Sequence, residues 1–177
     1  MASSVLISKE EIAKRIDELA AEITADFGDK PLVLIGILKG SIMLMADLAR
    51  KLEQDVIMDF MDVSSYGDSD TSSGEIKILK DLEYPIEGKN VIIIEDIVDT
   101  GTTMNYLLKY LRAKNPASLK LCALLDKPEN RKFDVKTDYI GFEIPNKFVV
   151  GYGLDYAQKY RTLPYIGCVD TKNQNNI

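Results

Sequence analysis

Histidine and tryptophan are both absent from this chain of 177 residues. Without histidine, the chain cannot by itself build a Ser-His-Asp or Cys-His nucleophile, nor any His-ligated metal centre. A metal bound here must be a hard cation held by oxygen. Cysteine is nearly absent too. Cys122 and Cys168 each sit among apolar residues with no CxxC pairing, so they read as reduced core thiols. No apolar run approaches the ~20 residues of a membrane span. The N-terminus has no basic stretch leading into an apolar one, so no signal peptide is read and the cytosol is the expected compartment. Positive charge is in deficit: 22 Lys and Arg against 28 Asp and Glu leave a net charge of -6. Such a surface has no general attraction for nucleic acid or an anionic membrane. No internal repeat and no linker divides the chain. The expectation is one domain over residues 1–170, followed by an Asn-rich, disordered tail at 171–177.

Against that background one stretch stands out. Val91-Ile92-Ile93-Ile94 is an unbroken apolar run, read as a strand buried on both faces. It runs into Glu95-Asp96, then Asp99, then the hydroxyl-rich turn Thr100-Gly101-Thr102-Thr103, and then a helical pattern over 104–114. Three acids leaving a buried strand repel one another and lose hydration, so they require cations or hydroxyl donors. A sugar diol can donate to such carboxylates and Mg²⁺ can share them. Capping the next helix is the bland alternative, and it accounts for one acid more readily than three. The turn offers hydroxyls and successive backbone N–H groups at a helix start, a phosphate cradle without lysine. Together these features describe a ribose 5-phosphate site.

The remainder of the chain supplies a frame. Ser8-Lys9-Glu10-Glu11 fits a capping box, Ile12, Ile16, Leu19 and Ile23 recur at helical spacing, and Gly28 suits a helix stop. A strand over 32–37 leads through Leu38-Lys39-Gly40-Ser41 into a helix over 42–52. Strands are expected at 56–63, 75–79, 119–125, 139–144, 148–150 and 165–169, while 155–161 fits a short helix or an extended turn. Residues 64–74, rich in Ser, Gly and Asp, cannot pack a core and form either a lid or a plain hairpin loop. The alternation of strand and helix predicts an α/β, doubly wound, mainly parallel sheet flanked by helices, with a small hood. Ligands in such sheets bind beyond the carboxyl ends of the strands, which brings the turns after 37, 94 and 125 together.

Residues 91–103 resemble the phosphoribosyl pyrophosphate motif of the type I phosphoribosyltransferases. Leu38-Lys39-Gly40, Ser65-Tyr66, Lys127 and the segment Gly141–Tyr156 narrow the likeness to the bacterial hypoxanthine-guanine branch of that family. The resemblance covers about residues 8–170. It implies an Mg²⁺-dependent purine-salvage transferase that joins hypoxanthine or guanine, through N9, to the ribosyl group of 5-phosphoribosyl 1-pyrophosphate. It also implies roles. Glu95 and Asp96 hold the ribose hydroxyls, directly or through metal-bound water, and Asp99, Thr100, Gly101, Thr102 and Thr103 wrap the 5-phosphate. Lys39 and Gly40 present backbone N–H groups to pyrophosphate from a turn that is often cis in this family, and Arg161 contacts pyrophosphate. Lys127 donates to the purine 6-oxo group, Phe148 stacks on the base and the Val149 backbone reads its edge. Asp155 joins the purine site and binds a second Mg²⁺ through pyrophosphate and water, apart from the metal at Glu95 and Asp96. Asp99 is the general base or electrostatic partner near N7, and Ser65 and Tyr66 close over the site.

Without the resemblance several of these residues read plainly. Lys127 would be a solvated loop lysine, Phe148 a core residue, and Asp155 with Arg161 a surface ion pair. Thr102 stands where some relatives have Lys, which tunes the phosphate contacts. A regulator that senses the sugar donor and binds RNA would keep 91–103 but needs a basic face. Another transferase of the superfamily, acting on adenine or a pyrimidine, is a third reading, and Lys127 argues against adenine, whose 6-amino group cannot accept from an ammonium. A preference for xanthine stays open. The family also implies a homodimer or homotetramer.

Overall fold

In a computed structural model, residues 4–65 and 76–169 are described. The first strand, β1 (Ser4–Ile7), leads into helix α1 (Lys9–Phe27). The expected capping box is present. The Ser8 hydroxyl accepts from the Glu11 N–H at 3.2 Å, and the Glu11 carboxylate accepts from the Ser8 N–H at 2.7 Å. At the other end Gly28, at φ +60°, donates its N–H to the Thr24 carbonyl.

There follow β2 (Leu32–Leu38), α2 (Ile42–Ala49), β3 (Val56–Ser65), β4 (Ile76–Lys80) and β5 (Asn90–Val98). Then come α3 (Thr102–Arg112), β6 (Ser118–Asp126) and a 3₁₀ turn at Pro128–Asn130. The chain closes with β7 (Tyr139–Glu143), β8 (Val149–Val150) and β9 (Ile166–Cys168). Helix α2 stops at Ala49, short of the expected residue 52. Residues 155–161 form turns and no helix, with Ala157, Gln158 and Tyr160 at positive φ. Strand β1 carries no sequence signal, because of its residues only Ile7 is buried.

The large sheet has the order β4-β3-β2-β5-β6-β7, and every neighbour pair except β3–β4 is parallel. Its unbroken apolar strands are explained by two cores. On one face Leu34, Ile92, Ile94, Cys122 and Leu124 pack with Ile16, Leu19 and Ile23 of α1 and Met45 and Leu48 of α2. On the other, Val33, Ile35, Val91, Ile93, Leu121 and Ala123 pack with Leu107, Leu108 and Leu111 of α3. Alternate side chains of each strand are thus buried on opposite faces.

The chain leaves β2 through α2 to β3 on one side, then returns as β5 on the other side of β2. The connections therefore part at the carboxyl ends of β2 and β5, the switch point where open α/β sheets bind ligands. A second antiparallel sheet, β1-β9-β8, forms the hood. It is tied to α2 by Tyr152, whose hydroxyl donates to the Asp47 carboxylate. Tyr66 and most of the 64–74 loop lie outside the described residues. Ser65 ends β3, and the strands that flank the loop pair antiparallel.

Candidate active site

The parallel register brings three turns to one edge. Gly36 aligns with Ile94 across β2 and β5, and Glu95 with Ala123 across β5 and β6. After β2 the Leu38–Lys39 peptide bond is cis, Lys39 is exposed and Gly40 is buried. Ser41 closes the turn, its buried hydroxyl donating to the Ile37 carbonyl at 2.7 Å. A side chain at Gly40 has no room: an added Cβ would lie 1.6 Å from the Asp96 carboxylate. Gly153 of the hood, at φ +103°, meets the same turn from the other side, and a Cβ there would lie 2.0 Å from the Gly40 carbonyl oxygen. Asp96, Gly40 and Gly153 are thereby stacked in direct contact.

Glu95 is buried and Asp96 half-buried. Each accepts a backbone N–H, Glu95 from Asp96 at 2.9 Å and Asp96 from Ile97 at 2.6 Å. Those bonds do not offset the loss of water. Burial pushes the Glu95 carboxyl well above its ordinary range, and the charge of Asp96 pushes it further. Burial likewise raises Asp96, while its contacts with Glu95 and the Ile97 N–H, and the nearby Arg161 charge, pull it back in part. Two adjacent hard-oxygen donors short of positive charge fit a hard divalent cation. Asp155, expected at a second ion, is not grouped with this pair. Among the described residues no group of three His, Cys, Asp or Glu is placed to hold a metal ion. Asp155 instead pairs with Arg161 at 3.0 Å and accepts the Gln158 N–H.

Beyond Asp96, the segment Glu95–Met104 lines a cleft of about 210 Å³. Gly101 occupies the N-cap of α3 at φ +82°, a left-handed conformation that suits glycine. No acid lies in the first turn of α3, so the three carboxylates are not helix caps. The Thr100 and Thr102 hydroxyls lie 3.0 Å apart. The turn is held from behind by the loop after β6, where the Lys132 and Phe133 N–H groups both donate to the Thr100 carbonyl.

Lys127 is not a solvated loop lysine. Its side chain is 8% exposed and its Nζ lies 3.8 Å from Asp99. Arg161 is not a surface partner either: it donates to the Gly153 carbonyl at 2.7 Å, and its buried Nε has no protein partner. Phe148, by contrast, is no core residue. It is 44% exposed and stands edge-on to Tyr156, with ring centroids 5.6 Å apart. Val149 is buried in β8, paired with Cys168. Asn130, which no sequence pattern marks, and Asn146, which lies within Gly141–Tyr156 but has no assigned role, complete the group. Asn130 donates to Asp99 and to Asn146, each at 2.8 Å. Asn130, in a polar loop outside every motif, carries no periodic or motif signal.

Residues 5–157 match the phosphoribosyl transferase domain family. The chain is 55% identical over 163 residues to the hypoxanthine-guanine phosphoribosyltransferase of Bacillus subtilis, covering 92% of this chain and 91% of that protein. It is 52% identical over 164 residues to the protein of the same name from Staphylococcus epidermidis, covering 93% and 92%. Among solved structures, a hypoxanthine phosphoribosyltransferase from Staphylococcus aureus matches with a TM-score of 0.94 at 47% identity, covering 99% of this chain and 95% of that one.

The contact between Gly40 and Asp96 gives a direct test. Gly40→Ala should lower the unfolding free energy by about 1–3 kcal/mol, the range for overpacking a tight site. Denaturant unfolding that matches the parent would show that the turn relaxes freely and that the contact is not rigid.

Proposed function

The chain belongs to the phosphoribosyl transferase domain family, and from that premise we propose that it salvages purines. It transfers the 5-phosphoribosyl group of 5-phosphoribosyl 1-pyrophosphate to N9 of hypoxanthine or guanine, giving IMP or GMP and pyrophosphate. The observation that carries this reading is the convergence of Gly40, Glu95-Asp96 and the 99–103 turn at the switch point, with Lys127 buried beside Asp99.

Residue roles follow from chemistry. Glu95 and Asp96 accept from the ribose hydroxyls, and the Asp99–Thr103 turn wraps the 5-phosphate with hydroxyls and the N-terminus of α3. Lys39 and Gly40 offer backbone N–H groups to pyrophosphate. The buried, unpartnered Nε of Arg161 supports a donor role toward the same group. Lys127 donates to the 6-oxo group of the base, a contact that an adenine amino group cannot accept. The exposed, edge-anchored ring of Phe148 supports base stacking, and the Val149 backbone reads the base edge. Asp155 orients Arg161 and lies on the purine side.

The reaction breaks the C1–O bond to pyrophosphate and forms a bond from C1 to N9, through an oxocarbenium-like sugar. The base loses one proton, which Asp99 accepts at N7 or balances electrostatically. Glu95 and Asp96 are the residues that would hold Mg²⁺, and Asp155 would serve a second ion. When bound, the cation supplies positive charge to the departing pyrophosphate. The two-carboxylate set supports this assignment, since Mg²⁺ keeps waters and completes its shell with substrate oxygens.

Incubating the protein with hypoxanthine or guanine, the phosphoribosyl donor and Mg²⁺ should release pyrophosphate and nucleotide in equal amounts, and a chelator should stop it. Binding to RNA without nucleotide formation from any 6-oxopurine would overturn the reading. Lys127→Met keeps the buried stem and removes the charge. It should lower kcat/KM for hypoxanthine by about 10–100-fold, the effect of one charge-assisted hydrogen bond, and leave the donor KM within about twofold. An equal loss for the donor would assign Lys127 to the sugar side instead.

A further inference from the structure

The turn that follows β6 solves a problem of geometry. A 3₁₀ turn has three residues per revolution, so side chains three apart eclipse one another. Lys127 precedes the turn Pro128–Asn130, and the Asn130 N–H donates back to the Lys127 carbonyl at 3.3 Å. Lys127 and Asn130 therefore emerge on one side, and both reach Asp99. The Asn130 amide meets Oδ1 at 2.8 Å and the Lys127 ammonium lies 3.8 Å from Oδ2. Each carboxylate oxygen thus has its own neighbour, one neutral and one charged.

Asn130 has a second attachment. Its Nδ2 also donates to Oδ1 of Asn146 at 2.8 Å, so the two amide hydrogens serve two different loops. Asn146 is two residues before Phe148. One neutral side chain thereby joins the acid at the end of the sugar motif to the loop that carries the base-stacking ring. A charged residue could not do this: an acid would repel Asp99, and a second cation would compete with Lys127 for it.

We propose that Asn130 is a positioning residue: it holds Oδ1 of Asp99 in register with the purine loop, so that the carboxylate cannot swing onto Lys127 and stays aimed at the base. This rests on Asp99 acting at the purine, as assigned above. Asn130 acts on Asp99 and on the loop at Asn146.

Steady-state kinetics of Asn130→Ala, Asn130→Asp, Asp99→Ala and the double variant Asp99→Ala/Asn130→Ala decide the matter. Each is first checked for an unchanged thermal midpoint. Asn130→Ala should lower kcat about tenfold, the value of a hydrogen bond to a charged group, with the donor KM within about twofold. Asn130→Asp conserves shape but turns a donor into a like charge, and should be slower than Asn130→Ala. In the Asp99→Ala background the Asn130→Ala change should add less than about twofold, because the group it acts through is gone. Full additivity, or an Asn130→Asp variant as active as the parent, would overturn the proposal while leaving the role of Asp99 intact. An Asp99→Ala variant with parental turnover would overturn that role, and the proposal with it.

Discussion

The adjacent carboxylates Glu95 and Asp96 are carried inward by β5, whose preceding residues are buried on both faces, so little water remains to disperse their charge. That single constraint shapes its surroundings. It explains why the neighbouring turn carries glycine at position 40, where any side chain would displace the Asp96 carboxylate. It explains why a cation, Arg161, is brought near from the hood, and why the hood in turn must approach through Gly153. The pair is unfavourable alone and becomes favourable with a ligand rich in hydroxyls and cations, which is the property a binding site requires.

The second half of the site is built on different terms. Lys127 is taken out of water but given Asp99, and Asp99 is shared with Asn130. Here charge is balanced within the protein. The Glu95–Asp96 side is thus left electrostatically incomplete, while the Lys127–Asp99 side is nearly neutral. On the proposed assignment, a neutral purine suits the second environment and a sugar donor carrying a cation suits the first.

Much of this was legible in the residues. The run 91–94, alternating strands and helices, and the capping box at Ser8 led to the parallel sheet and to the site edge, because burial on two faces leaves an unmistakable apolar pattern. The three acids and the Thr-Gly-Thr-Thr turn were legible because such a cluster has no purpose in a core. Other parts left no trace. Strand β1 is fixed by pairing with β9 at the far end of the chain, a contact with no local pattern. Lys127 and Phe148 read in opposite senses to their true burial, since a lysine before proline suggests solvent and a phenylalanine among valines suggests core. Asn130 and Asn146 are ordinary loop residues until a 3₁₀ turn aligns one of them with Lys127. The positive-φ turn at 155–161 was ambiguous because its side chains have no apolar period.

On the proposed function, the Glu95–Asp96 pair lacks positive charge and receives it together with the sugar donor. Isothermal titration of Mg²⁺ into the protein, alone and with 5-phosphoribosyl 1-pyrophosphate present, measures this directly. Two carboxylates without a third protein ligand predict weak Mg²⁺ binding alone, strengthened at least tenfold by the donor, with the gain lost in Asp96→Asn. Tight Mg²⁺ binding without donor, or donor affinity indifferent to Mg²⁺, would contradict it.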